Sequence, residues 1–444
     1  MKERKIISGF SKLSKDDKLK LVSSYFEEPP IVEDELKAYW HSDEKAQQLF
    51  DEFGENTISN FYMPFGIAPN FVIDGKNYMI PMVIEESSVI AAASKSAKFW
   101  AENGGFHTEI KEMKKVGQVH FLWKGEAAKL KQSMPELKKI LIKDAAHHTE
   151  KMIGRGGGII DIELHDKTSE IDDYFQLKAT FDTVDAMGAN FINSCLEDFD
   201  ISLKKYLREN DLFVGDEKHA EIIMSILSNY TPECLVKCWV ECNIEKFADM
   251  DENMTAEEFV WKFEKAVQVA KVDVHRATTH NKGIFNGIDS IALATGNDFR
   301  AIEAAGHTYA SKDGKYKSLT DVEIKEGKFK YSLTIPLSLG TVGGLTSLHP
   351  LAKRSLELLG NPGAKELMRV AAAAGLSNNF GALKSLVTSG IQLGHMKMHL
   401  LNILNNLAAN ENEKTKAVEF FKTRIVSFNL VEKFLTDYRK TNSI

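Results

Sequence analysis

The sequence predicts an α+β fold, and three observations carry that reading. Residues 115–185 run strand, helix, strand, strand, which differs from the regular alternation of parallel βαβ units. The sequence on either side is dominated by apolar residues at helical spacing. The one glycine cluster, GRGGG at 154–158, precedes a strand instead of joining a strand to a helix. It does not match GxGxxG, and GxxxxGK[ST] is absent too, so neither the dinucleotide fingerprint nor a P-loop is present.

Composition narrows the class. A chain of 444 residues has length for two or three domains, and 43% apolar with 27% charged residues suits a globular protein with a sizeable core. A net charge of -7 argues against a nucleic-acid footprint. No apolar run is long enough to cross a bilayer, so no membrane association is expected. The charged start, MKERKIISGFSKLSKDDKLK, lacks a signal core, and four cysteines do not make a disulfide scaffold. A cytoplasmic protein is the expectation.

Residues 13–50 predict helices, with Ser14 as a cap and Pro29–Pro30 separating two helical segments. From Asn60 to Val83 the pattern becomes strand-like, with APN and DGKN as turns and a hairpin at Asp74–Gly75. EESSVIAAASKSAKFW predicts a closely packed helix whose small side chains let another element approach. Glu85 and Glu86 sit where strand gives way to helix, as caps or as part of a cleft. Strands are expected at VGQVHFLW, GGIIDIELHD and YFQLKATFDTV, with PELKKILIKDAAHHTEKMI helical. DAMGAN at 185–190 reads as a small-residue turn into a helix, able to receive phosphate or ribose, or else as tight packing.

Residues 216–272 read as long helical runs. Within them Cys234, Cys238 and Cys242 recur every four residues, which places them on one helical stripe as packing residues in preference to a metal site. KFKYSLTIPLSLGTVGG predicts a strand and a Gly-rich turn, with a helix from about Pro350. The segment 364–408 reads as helical with breaks at GLSNN and GIQLGHM. His395 and His399 have metal-compatible spacing without an evident carboxylate partner, so no metal is expected. His395, just past Gly394, also suits a proton donor on a closing element, and His399 a surface histidine.

The most informative stretch is HRATTHNKGIFNGIDSIALATGNDFR, residues 275–300. Lys282 stands beside glycine and asparagine, and Asp298 lies in a Gly-Asn turn sixteen residues later. A lysine and a carboxylate held together can stabilise a developing oxyanion and control its proton. The alternative is two polar surface loops.

Several motifs in order resemble the class II, bacterial-type 3-hydroxy-3-methylglutaryl-coenzyme A reductases. They are PMVIEESSVIAAAS at 81–94, DAMGAN at 185–190, RATTHNKGIFNG at 276–287, ATGNDFRAIEAAGHTYA at 294–310 and GLSNNFGALKSLVTSGIQLGHM at 375–396. The resemblance covers nearly the whole chain and thins after about residue 405.

It implies a cytoplasmic oxidoreductase of the mevalonate pathway of isoprenoid biosynthesis. The reaction interconverts 3-hydroxy-3-methylglutaryl-CoA with mevalonate and CoA, using two NADPH or NADH and bound mevaldehyde species, without a metal. The implied catalytic residues are Glu86, Lys282, Asp298 and His395, and the implied substrate contacts are Ser88, Arg276, Asn286 and Asn379. Asp185, Met187, Gly188 and Asn190 are the implied cofactor contacts.

The implied architecture is a large helix-rich substrate domain around a central helix, with an inserted small non-Rossmann dinucleotide-binding domain and a mobile C-terminal segment. Its divisions are 1–112, 113–218, 219–390 and 391–444. Functional units in the family are homodimers with shared active sites, which can assemble into hexamers. One departure is Ser11, beside Lys12, where some members place an arginine against a coenzyme A phosphate. The adenine ribose is expected near 143–152, where Asp144, His147, His148, Glu150 and Lys151 bear on the choice between NADH and NADPH. The non-family alternative is an acyl-thioester-binding protein without reductase activity, or another coenzyme A enzyme such as a hydrolase. The absence of GxSxG disfavours the usual esterase design.

Overall fold

The computed structural model describes residues 6–388, 400–422 and 424–441. The chain divides into two compact units, Met1–Pro64 and Phe65–Ile444. The first holds α1 (Lys15–Ser23), α2 (Pro29–Lys37) and α3 (Glu44–Asp51). Ser14 caps α1 by accepting from the Asp17 N–H, as the sequence predicts. The proline pair also starts α2, where a missing N–H costs no helical bond. Lys15 donates to Asp51 at 2.7 Å and ties α1 to α3.

The second unit opens with the antiparallel hairpin of β1 (Phe65–Ile73) and β2 (Lys76–Val83). Asp74 and Gly75 take φ of 48° and 81°, as the predicted tight turn requires. APN is not a turn but a bulge within β1. Asn70 has φ of 70° and the register slips between Ala68 and Phe71. After α4 (Val89–Ala101) and β3 (His107–Ile110), the chain enters a separate core.

That core is built from β4 (Lys114–Trp123), α5 (Ala127–Asp144), α6 (Ala146–Ile153), β5 (Gly158–Asp166), β6 (Tyr174–Asp182), α7 (Ala189–Glu209) and β7 (Ala220–Ser228). The strands pair antiparallel in the order β5-β6-β4-β7, a split βαβ arrangement. Phe121, Trp123, Phe175 and Phe181 face Leu137, Leu196 and Phe199 in its interior. Gly117 lets α7 settle on the sheet, because a Cβ there would lie 2.7 Å from Ile192 and Leu196 side-chain atoms.

The helical reading of 216–272 is corrected in its first half. Residues 220–228 form β7 and residues 235–243 form β8 (Leu235–Asn243). Apolar residues fall at consecutive positions in β7, an edge strand, and this hides the period of two. In β8 the four-residue cysteine spacing fits a strand face as well as a helix stripe, since four is a multiple of two. Cys234 and Cys238 are buried with Val236 and Val240 while Lys237 and Glu241 point away. The packing role of the cysteines stands; the helix does not.

There follow α8 (Ala256–Val272), α9 (Val274–Ala294), α10 (Phe299–Ala310), β9 (Thr320–Lys325), β10 (Lys328–Pro336), α11 (Leu345–Leu348), α12 (Pro350–Leu358) and α13 (Ala364–Val387). A second antiparallel sheet has the order β3-β8-β10-β9. α13 is buried through Val370–Phe380 on all sides, a helix enclosed by the large core. It runs unbroken through GLSNN, against the predicted interruption. Ser377 Oγ donates to the Ala93 carbonyl at 3.0 Å and Asn379 Nδ2 to the His280 carbonyl at 2.7 Å, so neighbouring helices satisfy the polar groups. α4 packs closely on α13, where a Cβ at Gly381 would lie 2.9 Å from Ser96 Oγ. The helices Glu411–Phe420 and Phe428–Thr441 belong to a further apolar cluster with Leu400, Leu404 and Leu435.

Candidate active site

Lys282 lies midway along α9, not in a turn as its neighbours Gly283 and Asn281 suggest. The glycines of this helix serve packing. A Cβ at Gly287 would lie 2.4 Å from the Ala374 carbonyl oxygen, and one at Gly283 would touch Asn379 Nδ2 at 3.4 Å. Asp273 starts the helix by accepting from the Arg276 N–H at 2.7 Å.

Lys282 Nζ donates to Glu86 Oε2 at 3.0 Å, and Ser88 Oγ to Glu86 Oε1 at 3.3 Å. Glu86 therefore turns from the β2–α4 junction to α9. The Lys282 side chain is 61% exposed, and a pair this open contributes about 1 kcal/mol or less to stability. Stability does not account for it, whereas an accessible ammonium held by a carboxylate suits a ligand that develops negative charge. Asn286 shares the Lys282 face one turn on, and Arg276 is half-buried in the first turn of the helix.

Asn379 is 1% exposed and faces inward. It donates to the His280 carbonyl and accepts from the Tyr331 hydroxyl. It thus fixes the backbone two residues before Lys282. The His280 ring lies beneath the same turn, with Nε2 2.7 Å from Thr320 Oγ1 and Nδ1 buried without a partner. Burial, aided by the charge on Arg276, pushes its pKa down to about 3.

Asp298 occupies a second locus. It caps α10, accepting from the Arg300 and Ala301 N–H groups at 3.1 and 3.2 Å and from Arg300 Nε at 3.1 Å. Lys282 to Ala294 spans twelve residues, roughly 18 Å of helix axis. α10 returns along α9, with the His307 ring 4.7 Å from that of Phe285, so its Asp298 end lies toward the far end of α9. Among the described residues, Asp298 and Lys282 of one chain form no ion pair.

What one chain does bring to Asp298 is DAMGAN. Asn297 and Gly340 exchange two hydrogen bonds, Nδ2 to the Gly340 carbonyl at 3.0 Å and the Gly340 N–H to Oδ1 at 2.8 Å. Thr341 N–H donates to the Asp185 carbonyl at 2.8 Å, and a Cβ on Gly340 would lie 2.5 Å from Met187 N. The resulting cleft, about 610 Å³, is lined by Met187, Gly188, Asn190, Asp298, Arg300 and the 342–346 turn. This volume is in the range of small-molecule sites. Gly188 opens α7 at φ of 90° with no side-chain cap, so the first N–H groups of α7 are free to meet an anion. Asp185 is the exception among the expected cofactor contacts. Its Oδ1 accepts from the Ala364 N–H at 2.7 Å, holding the start of α13.

Lys115 is a residue the sequence reading missed. It is 2% exposed, and its ammonium donates to Thr183 Oγ1 and the carbonyls of Ala186 and Met187 at 2.7, 2.7 and 3.0 Å. Burial lowers its pKa. The sequence did hold the clue: Lys115 continues the inward series Gly117, Val119, Phe121 and Trp123 of β4. In the expected ribose region, Asp144 accepts from Ser202 Oγ at 2.6 Å, while His147 and His148 face Asp198. His395 and His399 lie outside the described residues. A larger pocket, about 800 Å³, is lined by Phe420, Phe434 and neighbours and contains none of the expected site residues.

Comparison with known proteins supplies an independent line. Residues 16–400 match the family model described as hydroxymethylglutaryl-coenzyme A reductase. The chain is 38% identical over 416 residues to the 3-hydroxy-3-methylglutaryl-coenzyme A reductase of Archaeoglobus fulgidus, covering 93% of this chain and 90% of that protein. A solved structure of the Streptococcus pneumoniae reductase is similar with a TM-score of 0.72 at 31% identity, covering 98% of this chain and all of that one. A class II reductase structure from the same organism, bound to NADPH in open conformations, gives 0.70 at 32% identity over 86% of this chain and all of that one.

Proposed function

The chain belongs to the class II hydroxymethylglutaryl-coenzyme A reductase family, and on that premise we propose that it reduces 3-hydroxy-3-methylglutaryl-CoA to mevalonate and free CoA. The observation that carries this reading is the exposed Lys282 ammonium, held by Glu86 and aimed by a buried helix pair.

The dinucleotide fits the cleft at DAMGAN, where the open start of α7 offers N–H groups for a pyrophosphate and Lys115 braces the loop from behind. Two reduced nicotinamides bound in turn would each supply one hydride, the first for the thioester carbon and the second for the aldehyde carbon. Lys282 holds the oxyanion that forms as each carbonyl carbon becomes tetrahedral. Glu86 and Asp298 govern the proton delivered to that oxygen. Between the two reductions the C–S bond breaks, and His395 protonates the departing CoA thiolate, leaving mevaldehyde in place. Arg276 pairs with the free carboxylate of the acyl group, while Ser88 and Asn286 orient its polar groups. Asn379 acts from beneath, through the His280 carbonyl.

The reaction requires two subunits in this reading. Asp298 lies beyond the end of α9, which Lys282 precedes by roughly 18 Å of helix axis, so a homodimer in which one protomer presents Asp298 and its cleft to the partner would complete the site. The small core carries the dinucleotide and runs from β4 to Ser228, not to 218, because β7 completes its sheet, while the large core on either side of it holds the acyl group. The test is nicotinamide oxidation on adding the hydroxymethylglutaryl thioester, run with NADH and with NADPH. Substrate-dependent loss of nicotinamide absorbance with either supports the reading. No oxidation with both would leave a thioester-binding protein without reductase activity.

A further inference from the structure

The small split-βαβ core carries a cluster to which the proposed reaction assigns no chemical step, within the segment where the adenine ribose is expected. His147 and His148 stand in the first turn of α6, and Asp198 lies opposite on α7. Both imidazole Nε2 atoms approach one carboxylate oxygen, Asp198 Oδ2, at 3.5 Å each. One ligand atom from each residue lies within 4.8 Å of the other two.

These separations are too long for good hydrogen bonds, and Asp198 Oδ2 is a buried oxygen with no hydrogen-bond partner. A buried carboxylate oxygen left bare is costly unless something else satisfies it. A tetrahedral metal with bonds of about 2.0–2.1 Å sets its donors about 3.3–3.4 Å apart, close to both observed distances. The ring nearest solvent is already oriented. His147 Nδ1 lies 3.0 Å from the Asp144 carbonyl, which takes its N–H and leaves the Nε2 lone pair facing Asp198. The Asp144 side chain is itself held by Ser202 of α7 at 2.6 Å. Two imidazoles and one carboxylate, with the exposed side open to water, are a donor set for zinc-class divalent ions and not for calcium or magnesium.

We propose that His147, His148 and Asp198 form a divalent transition-metal site that fastens α6 to α7. The bound ion would replace two weak His–Asp contacts by three coordinate bonds, with water in the fourth position.

The experiment titrates full-length, chelator-treated protein with Co2+ and then Zn2+. Expected is saturable uptake of one equivalent of Co2+, with the intense visible absorption of a four-coordinate site, bleached by one equivalent of Zn2+. H147Q and D198N should each weaken Co2+ binding at least tenfold while leaving the circular dichroism of the metal-free protein unchanged. H399Q serves as the control for the other histidine pair and should bind as the parent does. The proposal is overturned if no one-equivalent site appears, or if H147Q and D198N both bind Co2+ like the parent. It is also overturned if the absorption disappears in H399Q alone. A change in the NADPH to NADH preference of H147Q with metal binding intact would assign these histidines to the nucleotide instead.

Discussion

Replacing Lys115 with Met should loosen the dinucleotide cleft from behind without touching a ligand. The ammonium is held by Thr183 Oγ1 and by the carbonyls of Ala186 and Met187. Thr183 Oγ1 also donates to the Ala186 carbonyl at 2.7 Å, so that oxygen keeps a partner in the variant. The Met187 carbonyl loses its ammonium donor, and a buried acceptor left unsatisfied costs about 1–3 kcal/mol. Three charge-assisted bonds disappear, but so does the desolvation cost of a buried cation, which is several kcal/mol and largely offsets them. The net loss of stability should be about 1–3 kcal/mol.

The same loop holds Val184 at φ of 50° and Gly188 at φ of 90°. A β-branched residue in the left-handed region stores about 1–3 kcal/mol of strain, released when the loop is no longer pinned. The KM for the nicotinamide dinucleotide should therefore rise at least tenfold, the KM for the thioester much less. Urea unfolding and steady-state kinetics with each substrate varied make the test. Unchanged unfolding and unchanged cofactor KM in K115M would refute the bracing role, and an equal rise in both KM values would refute its locality.

Further outcomes follow from the same geometry. K282A should lose nearly all turnover yet retain CoA binding, with stability within about 1 kcal/mol of the parent because the Glu86 pair is solvent-exposed; parent-like turnover in a folded K282A would defeat its assignment. His280 is held neutral with a pKa of about 3, below its unfolded value of 6.5, so the unfolded chain binds the extra proton between those values. Its contribution costs nothing above about pH 6.5 and destabilises by about 1.4 kcal/mol per unit as pH falls toward 3, so H280Q should flatten the acid limb of a stability–pH curve. H395Q should slow thioester reduction sharply while sparing reduction of added mevaldehyde, which releases no thiolate; equal losses would remove the sulfur-protonating role.

Much of the architecture was readable because local chemistry and tertiary context agreed. Ser14, Asp74–Gly75 and the Gly188 start of α7 are local devices, and each does in the structure what its residue type favours. The misreadings occurred where one pattern fits two geometries. The cysteine spacing suits helix and strand alike, and Gly283 resembles a turn residue while serving a helix crossing. GLSNN looks like a break until Ala93 and His280 supply distant carbonyls for its side chains. At the site, motif order singled out Glu86 and Lys282, whose side chains the structure brings to 3.0 Å. It could not reveal that Asp298 caps α10 beyond the end of α9, because chain separation carries no direction until the helices are drawn. Lys115 was legible in principle, as a charge at an inward strand position.

The clamp between DAMGAN, Asn297 and Gly340 also sets when the cleft can exist. Synthesis runs from the N-terminus, so residues 185–190 leave the ribosome long before the segments at 296–300 and 340–346 that wall them in. The split-βαβ core is complete at Ser228 and can fold early, but the face that carries DAMGAN, proposed to take the dinucleotide, then has only one wall. A ligand stabilises only a state that already contains its site. Dinucleotide therefore offers a nascent chain no help before residue 346 has emerged, and a chain ending short of that point should be digested by protease at the same rate with or without NADPH.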